Sequence, residues 1–143
     1  MADLPSTITQ GIKTFLETYS PLSGGVYVEF VGEKPTEYSI VMLPELEKIE
    51  EYISHGGVYG RHFLLNMRAA TNEDADRLQN NGFYEDFAEW LYTQSEAGTL
   101  PSLPSGYTAL SIEALSNGFL MESSEVLSTA VYSINCRLVY ERT

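Results

Sequence analysis

The strict alternation of residues Tyr132–Arg142 constrains this chain more than any other stretch. Tyr132, Ile134, Cys136, Leu138 and Tyr140 point one way, while Ser133, Asn135, Arg137 and Glu141 point the other. Side chains on a strand repeat every two residues, so the pattern predicts a half-buried β-strand with one core face. A chain that ends on such a strand is expected to close its fold there. Nothing in the strand is a catalytic signature.

Upstream segments add helices and further strands. Ser6 or Thr7 can cap a helix whose apolar positions Ile8, Ile12, Phe15, Leu16 and Tyr19 form one stripe, ended by Pro21, Gly24 and Gly25. Residues 26–31 and 37–43 read as two strands joined by a hairpin turn at Gly32–Pro35. Residues 44–53 stay open: Leu46, Ile49, Tyr52 and Ile53 have helical spacing, but Pro44 and His55-Gly56-Gly57 leave little room. Tyr59–Ala69 reads as a long strand.

Thr71 with Asp74 resembles a capping box, and Glu73, Asp74 and Asp76 suit a helix N-terminus. A break signal stands at Asn80-Asn81-Gly82. Beyond it Phe83, Phe87, Trp90, Leu91 and Gln94 form an aromatic stripe that Gly98 ends. Leu100–Gly106 is a Pro-rich linker, and strands follow at 107–115, 118–122 and 127–141. The sum is one α+β domain over residues 1–143, an antiparallel sheet of about five or six strands packed against two main helices.

Charge restricts the partners. Twenty carboxylates against eight Lys and Arg give a net charge of −12, which repels phosphate backbones and anionic membranes. A single Cys allows no internal disulfide and fits a reducing compartment. The N-terminus carries no signal-peptide pattern and no apolar run is long enough to span a bilayer, so the expectation is a protein that stays in the cytosol where it is made.

The constellations that could carry chemistry have plainer explanations. Cys136 with His55 or His62 suggests a thiol and its base, but Cys136 sits on the core face, where a thiol is inert. His55 and His62 with Glu50 or Glu51 match no zinc spacing. The acids at 45–51, 73–76 and 85–89 lack the order of a calcium loop and read as solvated faces. Gly24-Gly25 and Gly56-Gly57 are turn glycines without the Lys of a phosphate loop. The chain is therefore expected to be no enzyme and to use no metal or cofactor. Three of the eight cations, Arg61, Arg68 and Arg137, fall in predicted strands; they can blunt a sheet edge or meet carboxylates on a neighbouring copy.

The order of segments carries a resemblance. A long strand ends in Asn66-Met-Arg-Ala-Ala70, a helix carries Phe83-Tyr-Glu-Asp-Phe-Ala-Glu-Trp90, and Leu100-Pro-Ser-Leu-Pro104 leads toward the closing strand. From about Ile8 onward the chain resembles the minor capsid or tail-terminator (tail-completion) proteins of tailed phages and prophages of Gram-positive bacteria. The resemblance implies an antiparallel sheet with helices and a structural role without catalysis. It implies a ring of identical subunits, typically hexameric, at the head-proximal end of the tail tube. That ring contacts the major tail-tube protein and the head-connector protein, with DNA only passing through its lumen. The implied location is the virion tail or neck, after assembly in the host cytoplasm. Arg61, Arg68 and Arg137 are the candidate subunit interface. The competing expectation is a small acidic prophage-encoded binding or inhibitor module that mimics nucleic acid.

Overall fold

The structure is a computed structural model that describes residues 4–22, 25–29, 37–70, 74–124 and 129–143; side chains at 37, 69–70, 74–81, 122–124 and 129 are outside the description. Helix α1 (Ile8–Leu16) begins where Thr7 Oγ1 accepts the Gln10 N–H at 3.0 Å. It buries Ile12, Phe15 and Leu16, the stripe expected from the sequence. Helix α2 (Asp74–Ala97) runs through Asn80–Gly82 without interruption; the tertiary setting outweighs the weak helix propensity of these residues. Thr71 and Glu73 lie outside the described residues.

Strands β1 (Tyr27–Val28), β2 (Glu37–Glu51), β3 (Gly57–Ala70), β4 (Tyr107–Ala114), β5 (Phe119–Ser124) and β6 (Thr129–Arg142) form one sheet. Its order is β1-β2-β3-β6-β4, with β5 also on β6. With both helices against its core this is an α+β fold, as the sequence predicts. β3 pairs with β6 along its whole length, Phe63 opposite Cys136 and Leu65 opposite Ile134. Tyr59, Phe63, Leu65 and Met67 of β3 and Tyr132, Ile134, Cys136, Leu138 and Tyr140 of β6 share one buried core with both helices.

One expectation is corrected and one open reading is decided. Residues 26–31 and 37–43 do not make a hairpin: β1 is two residues long and runs parallel to β2, Tyr27 opposite Ser39. Glu29 takes a left-handed conformation (φ 58) directly after it, which ends the strand. The proposed turn at Gly32–Pro35 lies outside the described residues. Residues 44–51, open on sequence grounds, are the second half of β2 and pair with β3 through the turn at Tyr52–Gly56. A bulge between Met42 and Leu46 absorbs Pro44, which has no N–H to give a ladder. Cross-strand pairing here overrides the helical spacing of Leu46, Ile49 and Tyr52.

β4 and β5 are two halves of one arm. Both run antiparallel to β6, β4 against residues 136–142 and β5 against 129–133. Tyr84 of α2 packs at the interruption between them. A Cβ on Gly118 would lie 2.5 Å from its Cδ2 and 2.6 Å from its Cγ, so the ring root occupies the space a side chain would need. The buried Tyr84 O–H lies 2.7 Å from the Tyr132 carbonyl and 3.1 Å from that of Leu65. A second helix-to-sheet tie follows one strand over. Ser95 Oγ accepts the Ile112 N–H at 2.9 Å and donates to the Ile112 carbonyl at 2.6 Å.

Candidate functional site: the open face and edges of the sheet

Helices cover one face of the sheet, so the residues that alternate away from the core line the other. On β3 and β6 these include His62, Arg68 and Arg137, which are partly exposed, and Asn66 and Ser133, which are buried. Here Arg137 sits between two carboxylates. Its guanidinium donates to Glu113 of β4, directly opposite, with Nε at 3.1 Å, and to Glu47 of β2 through Nη1 at 3.0 Å. Glu47 also meets His62 Nε2 at 3.1 Å.

The Arg137–Glu47 contact crosses β3 without using a β3 side chain. Gly60, opposite Glu47 on β3, makes the crossing possible. A Cβ there would stand 2.7 Å from Glu47 Oε1 and 3.2 Å from Arg137 Cδ. Hydrogen bonds from His62 and then Arg137 hold the Glu47 carboxyl below the usual carboxylate range. The hydrogen bonds that Arg137 donates, to Glu113 and also to Glu47, raise its own pKa. Four strands are thus tied across one face, β2 to β4, by one arginine.

The three cations singled out from the sequence do not form one surface. Arg68 and Arg137 are on the open face, but Arg61 alternates with Tyr59 and Phe63 toward the helix side, opposite Leu138. Its positive charge acts there on Tyr140. Arg61 and Arg68 are an odd number of residues apart on β3, which puts them on opposite sides of the pleat. Arg137 has both its carboxylates within its own chain, so it ties this sheet together.

The candidate thiol and imidazoles stay apart. Cys136 is fully buried on the core face, and burial pushes its thiol up. His62 lies on the opposite face and His55 in the exposed turn between β2 and β3 (φ 76). Glu85, Asp86 and Glu89 face solvent on α2, away from Phe87 and Leu91. Among the described residues no cluster of His, Cys, Asp and Glu has the geometry to hold a metal ion. A cleft of about 470 Å³ between α1 and residues 99–102 is lined by Gln10, Thr14, Phe15, Leu100 and Pro101, with no charged side chain among its lining residues.

The exposed apolar residues are the more telling group. Leu115, Phe119, Leu120 and Met121 cluster on and beside β5, the outer edge of the sheet at one end. Leu46 and Ile49 are exposed on β2, near the opposite edge. Neither cluster stands out in the sequence, because only pairing shows which strands lie at an edge. No protein-family model matches this chain, and no curated protein sequence matches it. Among the described residues no helix is long and apolar enough to cross a membrane.

Proposed function

We propose that this chain is a structural subunit of a tailed phage or prophage. It forms a ring at the head-proximal end of the tail tube, ends polymerisation of the tube protein and joins the tail to the head connector. The observation that carries this is the apolar edge at Leu115, Phe119, Leu120 and Met121 on a chain of net charge −12. Exposed apolar side chains gathered along one sheet edge mark a surface that another protein covers. An acidic protein is soluble as a monomer and associates through the surface where its charge is absent. The sheet-and-helix order agrees with the segments that carry the resemblance to tail-terminator proteins.

Within the ring the candidate subunit contact is Arg68, which lies on the sheet face away from the helices. The net charge of −12 suits DNA that passes without adhering. The alternative, an acidic mimic of nucleic acid, calls for carboxylates gathered on one face. Glu85, Asp86 and Glu89 belong to α2, whereas Glu45, Glu50 and Glu51 belong to β2.

The test adds purified chain to polymerising tail-tube protein from the same particle. Tube lengths read by electron microscopy should shorten as the chain is added, and Arg68→Glu should weaken the effect. Tube lengths that ignore the chain would overturn the proposal.

A further inference from the structure

Each long edge of the sheet is occupied at some positions and open at others. On the β2 side, β1 covers Ser39 and Ile40. On the β4 side, Ser95 occupies the N–H and C=O of Ile112 that a further strand would use. Among the described residues, nothing pairs with the outer edge of β2 over residues 44–51 or with that of β5.

The register places these two open stretches at diagonal corners. Residues 46–51 of β2 lie level with 57–61 of β3, 138–142 of β6 and 107–112 of β4. β5 lies level with 129–133 of β6, 66–70 of β3 and the start of β2. A surface and its complement at opposite ends of one subunit make a head-to-tail contact, the kind that generates rings.

The chemistry of the two corners selects the same pairing. β5 exposes Phe119 (42%), Leu120 (56%) and Met121 (55%), and residues 114–121 carry no charge. The β2 corner exposes Leu46 (50%) and Ile49 (47%) among Glu45, Lys48, Glu50 and Glu51. Two β2 corners would set carboxylates against carboxylates, and like charges opposite one another destabilise a strand pair. The β5 corner, with Glu122 as its one carboxylate, can take the acidic one with less repulsion than a second β2 corner would meet, while covering Leu46 and Ile49.

We propose that the open edge of β5 receives residues 44–51 of β2 from a second copy of this chain, extending the sheet from subunit to subunit by strand addition. The proposal deepens the ring assembly above and rests on it for closure, by naming the joint. Pro44 and the bulges at 42–46 and 48–50 keep that joint to a few residues, which suits subunits that associate weakly until they are gathered at one place.

Single-cysteine additions test it in the full-length chain. Ile49→Cys and Leu120→Cys, made with tags of different size, are oxidised separately and as a mixture. Both sites are exposed and Cys136 is buried, so folding and background are checked by circular dichroism and by the untouched chain. The expected result is a disulfide between the two different chains in the mixture and none in either variant alone. Leu120→Cys cross-linking to itself, Ile49→Cys to itself, or no cross-link at any concentration would overturn the joint. A mixed cross-link alongside tube lengths that ignore the chain would instead keep the joint and overturn the tail role.

Discussion

Ser95→Ala removes the side chain that occupies the backbone of Ile112 on the β4 edge. Two hydrogen bonds to Ile112 are lost, at 2.9 and 2.6 Å, from a partly buried site. Each is worth about 0.5–1.5 kcal/mol net, so together they contribute about 1–3 kcal/mol. Alanine is the better helix former even in the last turn of α2, which offsets at most about 0.5 kcal/mol of that. The expected net loss is about 0.5–2.5 kcal/mol, read from urea unfolding followed by Trp90 fluorescence and far-ultraviolet circular dichroism. At this chain length each kcal/mol lowers Tm by about 2–4 °C. The freed Ile112 edge should also raise aggregation during refolding. Ser95→Thr keeps the hydroxyl and should lose less. A Ser95→Ala protein as stable as its parent would refute the reasoning, because helix propensity alone would then account for the change.

Gly118→Ala forces a methyl against the root of the Tyr84 ring and should cost about 1–3 kcal/mol by the same unfolding measurement. Tyr84→Phe keeps the ring and loses the hydrogen bond to the Tyr132 carbonyl, for a smaller loss of about 0.5–1.5 kcal/mol. Glu47 has a folded-state pKa below its unfolded one, so it contributes stability above the usual carboxylate range that disappears as pH falls through the folded value. Urea midpoints below about pH 4.5 should therefore fall more steeply for the parent than for Glu47→Gln; parallel curves would remove the carboxylate from the account. Cys136 should resist thiol reagents in the native protein and react fully in denaturant, since it is buried and its thiol is held up in pKa.

Alternation and helical stripes carried much of this fold into the sequence. Tyr132–Tyr140 and Tyr59–Met67 each show their core face directly, and Ile8–Leu16 shows both its cap and its buried side. These patterns are local, set by the period of one element. What the sequence hid is set by neighbours across the sheet. Gly60 looks like any strand glycine until Glu47 and Arg137 meet above it. Ser95 looks like a helix surface residue until Ile112 comes beside it. Residues 44–51 have helical spacing, and only β3 decides that they extend. The same limit applies to the candidate interface, where Arg61 and Arg68 read alike until the pleat puts them on opposite faces. The apolar edge at Phe119–Met121 was missed because an edge is a property of the strand order.

The central claim is that this chain ends and joins phage tails, and particles assembled without it test that most directly. Electron microscopy of a phage lacking the chain should show tails of uncontrolled length or tails separate from filled heads. Particles of normal length and normal attachment would contradict it.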